Sequence, residues 1–378
     1  MNLAITLARY NQRDVNTLKL YQVLYSVNSL TPPTMRELAA ALKISPATVS
    51  LALRNDPRIA TETRLKVQTV AEAQGYCLNP SVTALMSRVR ASQPARYNET
   101  LGWLNTFSHP DYFTDPDLTT PEYLQRLWQG ALERARQLGY GLDMLWMAAP
   151  RMTGRRMSEI LAARGIRGIL IPPLLRPNSH LSLDWSALAV TALSYTLARP
   201  QFHRVVPDHH HNMQTVLRQL KRQGLRKIGM LAMPRYDERS QNRLLAPFCF
   251  YQQTISPHRR VPVLPVGSPR EASVRGWLQT YRPDAVIILA GSSPRSLWEI
   301  DIGDTAYIQS IHVVKMDCGI GDAEFPGIDE NPLQIGAAAV DSLARQLHQN
   351  ERGIPAQPHT LLVKGTWREG RVAVEQAA

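Results

Sequence analysis

Residues 45–67, SPATVSLALRNDPRIATETRLKV, place a short Ala/Val/Leu helix, an Arg-Asn-Asp-Pro-Arg turn and a basic helix in direct succession. Ser45 reads as a helix N-cap, and Pro46 takes the first helical position, where its missing N–H costs nothing. An apolar helix followed by amide and guanidinium side chains has the chemistry to lie on DNA, because guanidinium groups meet phosphates and a short helix fits a groove. The competing reading of the charges is a solvated basic face.

Other chemistries fail on residue type or spacing. His209, His210 and His211 are consecutive at a helix start, so their side chains project about 100° apart and cannot converge on one ion unaided. Cys77, Cys249 and Cys318 are odd in number and far apart, which excludes a disulfide framework and a four-ligand zinc site and points to reduced thiols. The sequence has no G-x-S-x-G elbow, no H-E-x-x-H, no P-loop and no G-x-G-x-x-G after a strand. The expectation is a protein that is no enzyme and needs neither metal nor cofactor.

Composition sets the scale. With 378 residues, 44% of them hydrophobic and 20% charged, the chain can build a small module and a large one. Of a net charge of +12, half the surplus falls in residues 1–92, where eleven Lys/Arg face five Asp/Glu. Such a bias concentrates anionic partners, nucleic acid or an acidic membrane surface. Arg9, Arg13 and Asp14 interrupt any secretory signal, and no run approaches the ~18 apolar residues of a membrane span, so a cytoplasmic protein with no membrane partner is expected.

The elements that must carry these residues follow from periodicity. Residues 1–33 show no clear amphipathic pattern and end in TPP, an extension of unclear role. TMRE is a capping box of Thr34 and Glu37, after which Leu38, Ala41 and Leu42 share a helix face. With the helix at Pro46 close behind, the pair reads as a helix-turn-helix. A third helix starts at Thr61, is expected to bury Leu65, Val67, Val70 and Ala71, and stops at Gly75. A fourth, in NPSVTALMSRVRAS, is capped by Asn79 and too poor in core residues to form without a partner. From about Leu101 strand-like runs (LGWLNTF, GLDMLWM, GILIPP, LAVTALS, KIGMLAM, DAVIILA, IHVVKMD) alternate with helices. In the helix at 121–138, Leu124, Leu127, Trp128, Ala131, Ala135 and Leu138 share a face. Alternation predicts parallel sheets in two doubly wound lobes, with ligands at the carboxyl ends of the strands.

The order of these elements, with LAAALKISPATVSLALRNDPRIATETRLKVQTVAEAQGYCLNP, LRQLKRQGLRKIGML, NRLLAPF, VVKMD and LLVKGTW, resembles the LacI/GalR family of bacterial transcription regulators from residue 34 to about 371. The resemblance implies an all-α helix-turn-helix DNA-binding domain joined to an α/β two-lobed, periplasmic-binding-protein-like domain. It implies domains at 34–78 (helix-turn-helix), 79–98 (hinge helix and linker) and 99–371 (effector binding and dimerisation, lobe crossovers near 195, 330 and 360), then a tail at 372–378. Asp208 matches an acid of the family, and the histidines after it fall on ordinary helix positions.

By position, Pro46, Ala47 and Leu51 correspond to side chains that family members point at base edges, and Ser45, Thr48 and Ser50 to residues near phosphates or packing the motif. Here the sequence departs, because none of Pro46, Ala47 and Leu51 can form the bidentate hydrogen bonds that read guanine or adenine. Thymine methyl contact and shape readout are left, with Arg54, Asn55 and Arg58 for phosphates. Leu51 as a core residue is the alternative. In the hinge, Leu85 stands where the family inserts a leucine between base pairs, with Val82 one turn earlier; a packing leucine in a linker is the alternative. Arg243 and Asp317 match positions that hold ligand hydroxyls, and an internal salt bridge between them is the other reading. The family's following Asn-Asp pair is Ala290 and Gly291 here. Ser292, Ser293, Trp103, Tyr112 and Tyr195 are cleft candidates, with a core or surface position as the alternative for each.

The function these features imply is a sequence-specific regulator, a repressor, acting as a homodimer on a near-palindromic double-stranded operator. It would be controlled by a small-molecule effector for which a carbohydrate is the candidate class. The alternative is a solute-binding protein, whose body is alike but which needs export and no DNA module.

Overall fold

The computed structural model describes residues 35–53, 56, 58–74, 99–115, 121–232, 234–265, 271–289, 303–319 and 324–370. Thr34, Arg54, Asn55, Gly75, Asn79, Val82, Leu85 and residues 290–293 lie outside the described residues. A helical module and an α/β body form separate compact units.

The module has three helices, α1 (Met35–Leu42), α2 (Pro46–Leu53) and α3 (Thr61–Ala73). Lys43 turns the chain between α1 and α2 with φ at 54°, in the left-handed region. Leu38, Ala39, Val49, Ala52, Val67, Val70 and Ala71 make one buried cluster. Two expectations fail here. Ala41 is exposed and Ala39 buried, because the core stripe of α1 is centred on Met35, Leu38, Ala39 and Leu42. Leu65 is 59% exposed, since two residues before Val67 is roughly 160° around the helix from it.

The body holds two six-stranded sheets. The first, in the order β13-β7-β5-β3-β1-β2, is parallel throughout and uses β1 (Glu99–Asn105), β2 (Tyr140–Trp146), β3 (Gly168–Ile171), β5 (Ala189–Ala192), β7 (His203–Pro207) and β13 (Thr360–Val363). The second, in the order β14-β12-β11-β10-β8-β9, uses β8 (Ile228–Ala232), β9 (Leu264–Pro265), β10 (Ala285–Ile288), β11 (His312–Lys315), β12 (Gly327–Asp329) and the antiparallel β14 (Thr366–Arg368). A small pair joins β4 (Ser179–His180) to β6 (Leu197–Arg199). Strands such as GILI, AVTA, IGMLA and AVII are buried at every residue, as expected of parallel sheets covered on both faces.

The chain leaves the first sheet at Pro207, returns to it after Asp329, and crosses a third time between Val363 and Thr366. The first crossover therefore lies beyond the expected position near 195. The strand responsible, HRVVP, hides its identity behind His203 and Arg204, two polar residues that are nevertheless buried. Glu351 takes the His203 ring and the Ser194 carbonyl accepts from Arg204, which makes that burial tolerable.

Among the helices, α4 (Glu122–Gln137) buries Leu124, Leu127, Ala131 and Ala135 as its periodicity predicts. It meets α11 (Pro332–His348) backbone to backbone. A Cβ on Gly130 would stand 2.0 Å from the Leu333 carbonyl oxygen, and one on Gly336 would stand 2.2 Å from that of Leu127. No described helix is long and apolar enough to cross a membrane. Replacing Gly336 by Val forces this contact apart and lowers the stability of the body by about 1–3 kcal/mol in urea titration. Gly276→Ala, in a helix with open space around it, gains about 0.5–1 kcal/mol. Equal midpoints for the two variants contradict the packing described.

Candidate nucleic-acid surface and ligand cleft

In the module, Ser45 caps α2 by accepting from the Thr48 backbone N–H at 3.0 Å, and the two hydroxyl oxygens lie 2.8 Å apart. Val49 and Ala52 turn inward, which leaves Pro46 and Ala47 exposed and Thr48, Ser50 and Leu51 half-buried. Gln68 of α3 donates to the Ala52 carbonyl at 3.2 Å and fixes the end of α2. The face opposite the core is therefore smooth and small, without a side chain that can hydrogen-bond a base edge bidentately. Arg58 is exposed, but its guanidinium already grips Asp56, with Nε 2.9 Å from Oδ1 and Nη2 2.8 Å from Oδ2. That hydrogen bond and charge raise the Arg58 pKa, and they place a carboxylate beside the cation expected to meet phosphate.

In the body, residues just past the carboxyl ends of the strands converge on a cleft of about 580 Å³. At the end of β1, Asn105 is fully buried; its amide donates to the His109 and Pro110 carbonyls at 2.8 and 2.9 Å and its Oδ1 accepts from Phe107 N–H at 2.8 Å. The loop so shaped stacks Phe107 on Tyr112, ring centres 4.1 Å apart, along the cleft wall. After β5 come Leu193 to Thr196, with Tyr195 in the lining. From the second lobe come Asp317 after β11 and Glu330 after β12, and from the start of α6 (His209–Arg222) comes His209. The His209 Nδ1 lies 3.1 Å from Glu330 Oε1, a buried contact without the alignment of a hydrogen bond.

Helix α7 (Pro234–Arg239) and the turn after it are set by Asp237, whose buried Oδ1 accepts from Ser240 Oγ at 2.9 Å and Leu244 N–H at 3.1 Å. This turn sends Arg239 into the cleft, where Nη1 donates to the Leu175 carbonyl of the other lobe at 2.7 Å. Arg243, the sequence candidate, lies beside the cleft. Leu244 plugs the core, so its neighbour Arg243 is exposed and stacks over the Tyr195 ring at 4.5 Å. Arg204 lies 5.4 Å from the same ring.

Burial pushes the Tyr123 and Tyr236 hydroxyls well above their ordinary pKa. The Glu330 carboxylate adds to this for Tyr123, and Asp317 then Glu330 for Tyr236, so both phenols stay protonated donors beside acids. Burial lowers Arg239 and Arg204, yet a guanidinium keeps its proton in any protein.

Of the sequence candidates, Tyr112, Tyr195 and Asp317 line the cleft. Trp103 does not: it is fully buried, edge-on to Phe113 and Trp128 at 5.4 Å each, because its position on β1 points into the hydrophobic core. The three consecutive histidines diverge: His210 bonds Gln214 while His209 faces the cleft. The sequence pattern singled out neither Glu330 nor Arg239 and placed His209 on an ordinary helix position, although the acid one residue after a strand was findable from the carboxyl-end rule alone.

The chain thus combines a three-helix module with a two-lobed α/β body that carries a cleft at the carboxyl ends of its strands. Residues 34–79 match the family described as "Bacterial regulatory proteins, lacI family". Among solved structures, a LacI-family transcriptional regulator from Rhizobium etli shares the fold at a TM-score of 0.54, with 16% identity over 74% of this chain and 99% of its own. Two others give TM-scores of 0.49 and 0.48. They are the lac repressor dimer bound to operator and the anti-inducer ONPF (16% identity, 90% of this chain, 99% of that) and the regulator CelR with cellobiose (14%, 89% and 99%). No curated protein matches the sequence.

The capping geometry makes a direct prediction. Ser45→Ala removes the acceptor for Thr48 N–H and costs the helical module about 0.5–2 kcal/mol, whereas Ser45→Asp retains an acceptor and most of the stability. Circular dichroism melts of the two variants separate them, and equal melts contradict the cap.

Proposed function

We propose that the protein is a cytoplasmic, sequence-specific DNA-binding transcription regulator, a repressor rather than an enzyme, that acts as a homodimer on a near-palindromic operator under control of a small molecule in the cleft. The observation that carries this reading is the lacI-family match at 34–79 on the same chain as a cleft built from strand carboxyl ends. The two-lobed body alone would suit a solute-binding protein equally well, but that class has no use for a helix-turn-helix module.

In this reading Pro46, Ala47 and Leu51 face the major groove and touch thymine methyl groups, while Ser45, Thr48, Ser50, Arg54, Asn55 and Arg58 meet phosphates. Base choice then rests on shape more than on hydrogen bonds. Domains are assigned as a helix-turn-helix at 34–78, a hinge at 79–98 with Asn79, Val82 and Leu85 on the minor-groove side, and the effector body at 99–371. Tyr112, Tyr195, Asp317 and, by lining, Glu330 and Arg239 hold the effector; Arg243 borders it through Tyr195, and Ser292 belongs to the same group by sequence position. A carbohydrate is the effector class, since carboxylates and phenols are its natural partners.

Selection from random double-stranded DNA tests this reading, and an enriched, two-fold symmetric site rich in A·T steps is the expected result. Sequence-blind binding at every salt concentration contradicts it. The Asp56–Arg58 pair adds a finer test. Asp56→Asn frees the guanidinium, tightens binding several-fold at low salt, and steepens the slope of log K against log salt by about 1. An unchanged slope removes Arg58 from the phosphate contacts.

A further inference from the structure

Strands β8, β10 and β11 start level with one another, Ala285 pairing with both Ile228 and His312, and their amino ends form the face of the second lobe opposite the cleft. Half of the net charge of +12 lies in residues 93–378, and this face concentrates it. Arg218, Lys221, Arg222, Arg226, Arg259 and Arg260 are all exposed. Three of them, Arg218, Lys221 and Arg222, fall within about 100° of one another around α6. Lys221 Nζ sits 4.4 Å from the centre of the Tyr251 ring, near the end of α8 (Leu245–Thr254). Burial and then the Asp284 carboxylate raise the Tyr251 hydroxyl, and Arg226 and Arg259 work against them, so those charges share the surroundings of one ring.

The carboxylates beside these groups are already taken. Asp284 accepts from the Arg226 and Lys227 backbone N–H groups at 2.8 and 2.9 Å, and Asp304 pairs with Arg282 at 2.9 Å. Helix C-termini favour cations, which accounts for Lys221 and Arg222 in the last turn of α6 and for Arg260, whose guanidinium donates to the Ile255 and Gln253 carbonyls at 3.2 Å each. No such reason covers the other three: among the described residues, the guanidinium groups of Arg218, Arg226 and Arg259 have no hydrogen bond and no ion pair. The surface is also bare of grease. Among the described residues, no large apolar side chain is exposed in 218–227, 255–260, 281–284 or 304–312.

A protein partner would need an apolar or aromatic centre to dock on, and an amphipathic membrane contact would need an apolar face to insert. Guanidinium groups with neither suit the closely spaced phosphates of a nucleic-acid duplex, which each can grip with two N–H groups. We infer that this end of the second lobe is a further contact for double-stranded DNA, independent of base sequence and separate from the helix-turn-helix module. The choice of DNA among polyanions rests on the regulator reading, which already puts the chain on a duplex.

The test titrates the full-length protein with a short duplex of random sequence over a range of salt, beside two sets of substitutions. Ala47→Asp sets a carboxylate on the exposed face of α2 and disables the module; this protein should still bind the duplex at low salt. Arg218→Gln, Arg226→Gln and Arg259→Gln together should weaken random-duplex binding tenfold or more at low salt and lower the slope of log K against log salt by about 2 to 3. Added to Ala47→Asp, they should abolish binding. Circular dichroism melts establish that each variant is folded. An Ala47→Asp protein that binds no duplex, or a triple variant with an unchanged slope, overturns the inference. Capture of the Ala47→Asp protein by phosphatidylserine-containing vesicles but not by duplex overturns it too and assigns the patch to lipid headgroups. Site selection by the unsubstituted protein separates the two levels: if it selects no sequence while the binding lost in the triple variant persists, the regulator reading fails and this contact stands.

Discussion

Three crossings of the chain between its lobes are stitched together by side chains, and the cleft depends on those stitches. His209, at the first crossing, touches Glu330, at the second, at 3.1 Å. Asn212, fully buried one turn into α6, accepts from Gly365 N–H of the third at 2.8 Å. Asn331, held at φ 56°, donates to the Lys364 carbonyl at 2.8 Å and the Thr366 hydroxyl at 3.0 Å, tying the second to the third. Parallel sheets that exchange strands in this way must present their carboxyl ends to one shared gap. The same two residues that fasten the crossings, His209 and Glu330, also line that gap, so anything bound there acts directly on the joint between lobes.

The lobes also touch through two arginine side chains at the cleft. Arg239 reaches the Leu175 carbonyl, and Arg243 covers the Tyr195 ring. A surface cation–π contact is worth about 0.5–1 kcal/mol and a hydrogen bond to a charged group about 1.5–3 kcal/mol. Contacts of this size suit a joint that a ligand can bias, because an allosteric coupling is itself typically about 1–3 kcal/mol. A much stronger clasp would hold one lobe angle whatever occupied the cleft.

The sequence made some of this legible and hid the rest for identifiable reasons. Ser45 and Pro46 announce α2 because capping is local chemistry, and strands such as AVII announce themselves because they are buried on both faces. HRVVP escaped notice because the partners that make buried His203 and Arg204 acceptable come from Glu351 and Ser194, which are distant in sequence or in another turn. Trp103 looked like a cleft aromatic, yet its side of the strand faces the core. The choice between Arg239 and Arg243 was unreadable for a different reason: it is decided by a turn in which Gln241 and Asn242 take φ of 57° and 60° around the buried Asp237 carboxylate. Local pattern finds the elements, while long-range satisfaction of buried polar groups decides which side chains reach the site.

The central claim is that the cleft and the DNA-binding module form one linked system. Its most direct test measures operator affinity with and without a saturating cleft ligand, and the affinity of that ligand with and without operator. Linkage requires the same factor in both directions, and the account predicts one of about 5 to 150. A tightly bound cleft ligand that leaves operator affinity unchanged, and whose own affinity is indifferent to operator, contradicts it.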